Sequence, residues 1–349
     1  TWQAAICINK DGDTTAIIGS MEEAKFKKTG LYKNIIPYLK SLREPFREYI
    51  AKKDPKKIAI NFSKTSVLAD GLTYGMHQIL LEHLEGTDYK NRFVSSEEII
   101  SALRGRKSPA ELALMKEAVK ETLKIFDEVT KYMKPGMTEI DIAKHVKKVY
   151  TERGFETGWE EDHCPAVFAG PNPNGPHEGP SDKVIKAGTV VNMDFGIKYK
   201  GYCSDLQRTW YILKDGETKA PAPVQKGFDV IRDSIQKVAD AVKPGVKGVD
   251  MDTIARSYIT QNGYPEYIHG LGHQVGKTVH DGVAGMFPAW ERYGNSPFIP
   301  LEEGQIFTIE PRLPIESYGV ATIEEEVIIT KNGCEFISPP QKELILVKP

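Results

Sequence analysis

The residues of this chain best suited to chemistry are carboxylates and imidazoles set in apolar sequence. Asp194 stands in Val190-Val191-Asn192-Met193-Asp194-Phe195-Gly196, whose composition predicts a buried strand. Eleven residues on, Asp205 lies in Gly201-Tyr202-Cys203-Ser204-Asp205-Leu206-Gln207-Arg208-Thr209-Trp210. The turn signal Lys198-Tyr199-Lys200-Gly201 between them predicts a hairpin that sets the two aspartates side by side. Two ionised carboxylates at close range in a low dielectric need compensation: one holds a proton, or a cation lies between them. The alternative is that Asp205 pairs with Arg208 and Asp194 stays half exposed.

A second cluster is His269-Gly270-Leu271-Gly272-His273-Gln274-Val275-Gly276-Lys277-Thr278-Val279-His280, with three of the chain's eight histidines. Neutral imidazole is a common metal ligand and a proton shuttle, and the glycines permit close backbone approach. A lone histidine would more often be structural; three in one glycine-rich run favour function. The glycines do not form G-x-G-x-x-G, so dinucleotide binding is not indicated.

Two more acidic positions follow in apolar strands, Glu310 in Gln305-Ile306-Phe307-Thr308-Ile309-Glu310-Pro311 and the run Glu324-Glu325-Glu326 within residues 320–330. An unpaired ion in a sheet costs several kcal/mol, and the nearby sequence lacks a matching density of Lys or Arg. A divalent cation is the economical counter-charge. Asp194, Asp205, His273, Glu310 and Glu324 make an oxygen-rich set with one imidazole, suited to Mn²⁺, Co²⁺, Fe²⁺ or Zn²⁺, and two ions would balance four carboxylates.

In the order D-x-G, S-D-x-x-R-T, H-G-x-G-H-x-x-G-x-x-x-H, T-I-E-P and I-E-x-x-V, these motifs resemble the pita-bread metallopeptidases: methionine aminopeptidase, aminopeptidase P and prolidase. The resemblance covers about residues 108–349. The preceding region with Ser108-Pro109-Ala110-Glu111-Leu112 is similar to the creatinase-type N-terminal domain and hinge of the Xaa-Pro branch. It implies an α+β pita-bread catalytic domain over residues 105–349 and a smaller α/β creatinase-like domain over 1–104. It also implies that Asp205 and Glu324 bridge two divalent ions, Mn²⁺ foremost, that Asp194 chelates one, and that His273 and Glu310 complete the other. His280, Glu310 and His177 take catalytic positions, and His269 lines the cleft. For His177, in a Gly/Pro-rich stretch, the bland alternative is a solvated loop residue.

The activity implied is hydrolysis of Xaa-Pro bonds, as a dipeptidase or an aminopeptidase, by a water whose pKa two dications lower to near 7. The substrate is then a peptide with proline at its second position, and the assembly a homodimer. The alternatives are a creatinase-like hydrolase of a small C–N substrate, which lacks the metal set, and a non-catalytic binding protein on the same scaffold. Three positions depart from the pattern. Thr322 replaces an Arg two residues before the bridging glutamate, Pro314 replaces a Tyr, and Asp281 replaces the Glu after the last histidine. Arg312, two residues after Glu310, is the candidate to supply the missing guanidinium to substrate.

Several elements must position these residues. Strands are expected over residues 4–8, 15–18 and 57–61, and helices over 34–51 and 75–84. Ser108 caps a further helix, with Pro109 at its first position and Glu111 completing a capping box. Lys134-Pro135-Gly136-Met137 is echoed by Lys243-Pro244-Gly245-Val246 with two or three residues inserted in the second copy, and both runs lead to a Gly-aromatic pair, Gly154-Phe155 and Gly263-Tyr264. The echo implies two related halves packed around a cleft.

The chain has 349 residues, 27% of them charged, with formal net charge -2. Eleven Lys/Arg against five Asp/Glu between Glu22 and Lys57 read as solvated helix faces rather than a nucleic-acid patch. No membrane span and no disulfide framework are indicated, since Cys7, Cys164, Cys203 and Cys334 are scattered. Free thiols point to the cytoplasm. The first residue is Thr and the chain opens on strand-like sequence, so a leading segment, with any signal it carries, is expected to be missing.

Overall fold

The computed structural model describes residues 2–171 and 179–349. The chain forms two compact units, Thr1–Glu98 and Ile99–Pro349. Among the described residues no helix is long and apolar enough to cross a membrane.

In the first unit the strand Thr14–Gly19 is central to a three-stranded sheet, antiparallel to Ala5–Ile8 and parallel to Asn34–Tyr38. The helix expected over 34–51 is therefore two elements, because Asn34–Tyr38 is a strand and the helix is Arg43–Lys53. The apolar spacing suits either period here, and Pro37 disfavours a helix interior but is tolerated in an edge strand. Phe46, Tyr49 and Ile50 of the helix pack with Ile17, Leu42 and Leu84. Ile58–Ile60 and Tyr74–His83 form a strand and a helix where expected.

The second unit mixes helix and sheet, as the α+β expectation required. Pro109–Tyr132 starts with a complete capping box, in which Glu111 N–H donates to Ser108 Oγ (3.3 Å) and Ser108 N–H donates to Glu111 Oε2 (2.8 Å). Glu139–Glu152 follows, and the pair is matched by Ala222–Ala241 and Gly248–Gln261.

The internal echo recurs in the backbone bonding. Gly136 and Gly245, both at positive φ, donate to Ile185 and Leu301 (2.9 and 2.8 Å), while Ile185 and Leu301 donate back to Met137 and Val246 (2.7 and 2.8 Å). Phe155 N–H reaches Tyr150 as Tyr264 N–H reaches Ile259 (2.9 and 3.3 Å). From Gly136/Gly245 to Phe155/Tyr264 the matched residues keep one constant offset, so the insertion expected in the second copy is absent there, and only the more distant partners Ile185 and Leu301 are spaced further apart. Asp141 corresponds to Asp250, each donating to the residue three before it.

Strand alternation divides the unit into two cores. In Val190–Phe195 and Leu206–Ile212, residues Val191, Met193, Phe195, Leu206, Trp210 and Ile212 pack with the first helix pair. In Ile306–Ile309 and Glu325–Thr330, residues Phe307, Ile309, Val327 and Ile329 pack with the second pair. The opposite faces of both strand pairs carry Asp194, Gln207, Thr308 and Glu326. Backbones approach closely there: a Cβ on Gly272 would sit 2.0 Å from the Thr308 carbonyl oxygen.

Gly272→Ala is therefore expected to destabilise the protein by about 2–3 kcal/mol. Gly75→Ala should be neutral or stabilising, because Gly75 lies in a helix with nothing within 4 Å of its Cβ position. Urea unfolding of the two variants measures the contrast.

Candidate metal centre

Four strands bring the acidic residues into one row. Asp194 pairs in register with Gln207. Gln207 bridges Glu324, the two N–H groups donating to each other's carbonyls at 3.4 and 3.2 Å. Glu310 continues the register Thr308↔Glu326, Ile309↔Glu325, which places it opposite Glu324, and its N–H donates to Leu271 O (2.8 Å). Asp205 is two residues from Gln207 and so shares its face. His273 enters from the short strand Gly272–His273, its N–H donating to Thr308 Oγ1 at 3.0 Å.

The hairpin forms, but Asp194 faces Gln207 directly, and Asp205 is its diagonal neighbour. Gly196 supplies the space beside it, since a Cβ there would lie 1.8 Å from Ser204 O. The alternative pairing of Asp205 with Arg208 does not occur. Arg208 projects from the other face and ion-pairs with Glu325 at 3.1 Å, also donating to the Glu324 carbonyl (3.0 Å). The acidic run is thereby sorted by alternation: Glu324 and Glu326 face the site, and Glu325 meets a guanidinium behind it.

Asp205, His273 and Glu324 each place a donor atom within 4.8 Å of the others. His273 Nε2 lies 3.3 Å from Glu310 Oε1 and 3.8 Å from Asp205 Oδ2. Gln207 Nε2 donates to Asp194 Oδ2 (3.3 Å) and Glu310 Oε2 (3.4 Å). Asp194 Oδ1 and both carboxylate oxygens of Glu324 are buried without a hydrogen-bond partner among the described residues. Such oxygens are costly unless protonated or opposed by a cation.

Burial, reinforced by the Glu310 charge, pushes the Asp194 carboxyl up to about 8. Burial and neighbouring carboxylates hold Asp205 and Glu324 well above the usual carboxylate range. Burial also raises Glu326 to about 8, although it accepts the Asp205 N–H at 2.6 Å. Glu310 is the exception. Burial opposes its ionisation, but the hydrogen bond and charge of His273 outweigh it and lower its pKa. Burial likewise works against a charged His273, and Glu310 reverses the balance, raising it. The oxygen-rich donor set with orphaned carboxylate atoms fits hard or borderline divalent ions.

The histidines expected beside the ligands divide as follows. The His280 ring meets the His273 ring edge-on at 4.0 Å between centroids. His269 Nδ1 lies 2.7 Å from Gly270 O, its ring 5.1 Å from that of Tyr267, and burial lowers its pKa. His177 lies outside the described residues.

Arg312 stands in register with Thr322 in the hairpin Arg312–Ile315/Gly319–Thr322. It is half-buried, burial lowers its pKa, and it has no hydrogen bond or ion pair among the described residues. Thr322 Oγ1, on the facing residue, is also buried without a partner. Gln207, Thr308 and Glu326 were not among the expected site residues. Each lies two positions from one that was, so the period of two along a strand was the available signal.

The raised carboxylates set a pH dependence. A folded metal-free protein retains protons that the unfolded chain releases from about pH 4, so its stability falls as pH rises from there to about 8, where Asp194 ionises. In chelator, the unfolding temperature should fall between pH 5 and pH 8. Saturating Mn²⁺ should abolish or reverse the fall, because cations then take the place of protons. Scanning calorimetry at matched ionic strength reads this, and identical pH profiles with and without Mn²⁺ would contradict the site.

Residues 113–331 match the profile described as Metallopeptidase family M24. The chain is 31% identical over 251 residues to the uncharacterised peptidase YqhT of Bacillus subtilis, across 72% of this chain and 67% of that protein. It is 28% identical over 339 residues to an uncharacterised peptidase of Staphylococcus aureus strain MW2, across 97% and 88%. Among solved structures it resembles an Xaa-Pro dipeptidase from Bacillus anthracis, with TM-score 0.75, 25% identity and coverage of 99% of this chain and 90% of that one. A prolidase from Pyrococcus furiosus matches with TM-score 0.69, 25% identity and coverage of 97% and 90%. The pita-bread fold expected from the motifs is thus shared with solved peptidases. With well over half of its length matched, the chain belongs to metallopeptidase family M24.

Proposed function

We propose that the protein hydrolyses Xaa-Pro peptide bonds with two divalent ions, Mn²⁺ foremost, held by Asp194, Asp205, His273, Glu310 and Glu324. The observation that carries this reading is the buried Glu324 carboxylate, neither oxygen of which is hydrogen-bonded among the described residues, beside Asp205 and His273. The likeness to an Xaa-Pro dipeptidase and a prolidase supports the substrate class. Asp205 and Glu324, whose donor atoms cluster with that of His273, would serve both ions, with Asp194 completing one set of ligands and His273 with Glu310 the other. When bound, the ions supply Lewis acidity and lower the pKa of water to near neutrality.

The chain's own groups manage the protons and the substrate. Glu310 is kept ionised by His273, so it can accept a proton from the attacking water and deliver it to the leaving nitrogen. That nitrogen belongs to proline and carries no hydrogen in the peptide, so it must gain one to depart as an amine. His280 donates to the carbonyl oxygen as charge develops on it. His269, with Nδ1 against the Gly270 carbonyl, keeps Nε2 for contact with substrate. His177 belongs on the substrate side. Arg312, without a partner among the described residues, binds the carboxylate of the peptide's proline side. Residues 1–104 act as a creatinase-like domain, and the working form is a cytoplasmic homodimer.

Purified protein with Mn²⁺ should release free proline from Ala-Pro, and a chelator should abolish the release. Parallel cleavage of Ala-Pro-Ala would make the enzyme an aminopeptidase; inactivity on both peptides would refute the reading. Arg312→Ala should lower kcat/KM on Ala-Pro by roughly 10–100-fold, the worth of a charge-assisted hydrogen bond. Steady-state kinetics on Ala-Pro measure this, and an unchanged value would remove Arg312 from the substrate site.

A further inference from the structure

The segment from His273 to Asp281 loops out and returns on itself, and Asp281 closes it. Asp281 N–H donates to Gln274 O at 2.8 Å, and its Oδ2 accepts the Lys277 N–H at 2.6 Å. Inside the loop Gly276 N–H donates to Thr278 O at 3.0 Å, and Thr278 Oγ1 donates to His280 O at 2.8 Å. A Cβ on Gly276 would lie 2.2 Å from Asp281 Oδ2, so glycine is what lets the carboxylate fold so close beneath the loop.

Asp281 is 2% exposed, and a carboxylate at that depth needs a cation. The cation comes from far away in sequence: Arg104 Nε donates to Asp281 Oδ1. Arg104 lies in the helix Glu97–Gly105, near its end. Its own backbone is held by Lys107, whose Nζ donates to Arg104 O (2.6 Å) and Gly105 O (3.0 Å). The guanidinium thus grips the residue next to His280, and the His280 ring in turn rests edge-on against His273.

We propose that Arg104 is a positioning residue which, through Asp281, sets the His280 imidazole for reaction. The inference deepens the peptidase reading of the centre and rests on it for its kinetic arm. Without Arg104 the buried carboxylate must find another partner, and the loop it closes shifts with it. Displacement of a catalytic group by about 1 Å costs on the order of 100-fold in rate. The effect falls on the chemical step, because Arg104 touches Asp281 rather than substrate.

The test compares wild type, Arg104→Gln, Arg104→Lys, His280→Ala and the Arg104→Gln/His280→Ala double variant, all Mn²⁺-loaded, on Ala-Pro. Arg104→Gln should lower kcat by roughly tenfold or more with KM within about twofold, and Arg104→Lys should recover part of the loss. In the His280→Ala background Arg104→Gln should cost nothing further, since its effect passes through that ring. Arg106→Gln is the control, because Arg106 pairs with Glu302 at the exposed surface (2.7 Å). An unchanged kcat in Arg104→Gln, or an equal loss with and without His280, would overturn the proposal. A second readout needs no turnover: in zinc-loaded protein labelled with ¹⁵N-histidine, Arg104→Gln should move the His280 ring resonances and leave those of His83 and His145 in place. Unmoved His280 resonances would also overturn it. Failure of wild type on Ala-Pro would instead count against the substrate reading, with the resonance shift still deciding the role of Arg104.

Discussion

Charge neutralisation in a dry sheet governs this structure. Asp194, Asp205, Glu310 and Glu324 share one face of neighbouring strands, and Asp194 Oδ1 and both Glu324 oxygens have no hydrogen-bond donor among the described residues. Such a row persists only with protons or cations among its members. His273 supplies partial compensation to Glu310, and that pair alone moves toward its ionised form. The remaining carboxylates are held above the usual range, which favours their protonated forms unless a cation takes the place of the proton. A candidate site for divalent ions and a pH-sensitive metal-free fold are two consequences of one arrangement.

The arrangement depends on the duplicated architecture. Each helix pair covers one face of its own strands, leaving the opposite faces of both halves to meet through the bridge between Gln207 and Glu324 and through hydrogen bonds such as Asn192 Nδ2 to Val320 O and Thr322 N–H to Thr209 Oγ1. Burial on both faces makes ionic groups costly, and alternation along each strand decides which of them turn toward the centre. Glycines at 196 and 272 permit the backbone approaches that close the row. A side chain at either would push apart the strands that hold Asp205 and His273.

Behind the centre lies a second set of charges with a different chemistry. Arg208 with Glu325 and Arg104 with Asp281 each set a guanidinium on a buried carboxylate and are complete without a metal. Asp252 is held likewise by Arg256, which also donates to the His269 carbonyl at 3.0 Å. The contrast separates two uses of buried charge. Pairs already neutral brace the strand of Glu324 and the segments of His280 and His269, while the unpaired set is left to bind.

Much of this was legible in the residues themselves. Carboxylates in apolar runs mark sites needing counter-charge wherever the chain folds, and the Lys200-Gly201 turn, the Ser108 cap and the two Pro-Gly signals are local chemistry that acts within a few residues. The period of two along a strand would also have added Gln207, Thr308 and Glu326. Other features were beyond local reading. Residues 34–38 have an apolar spacing that serves a strand as well as a helix, and the parallel partner at Thr14–Gly19 settled the matter. The facing of Asp194 by Gln207, the diversion of Arg208 to Glu325, and the reach of Arg104 to Asp281 depend on register and on contacts between distant segments. Sequence by itself determined which groups could not be left uncompensated; only tertiary structure decided which neighbour compensates each, because a charge is neutralised by what lies near it in space.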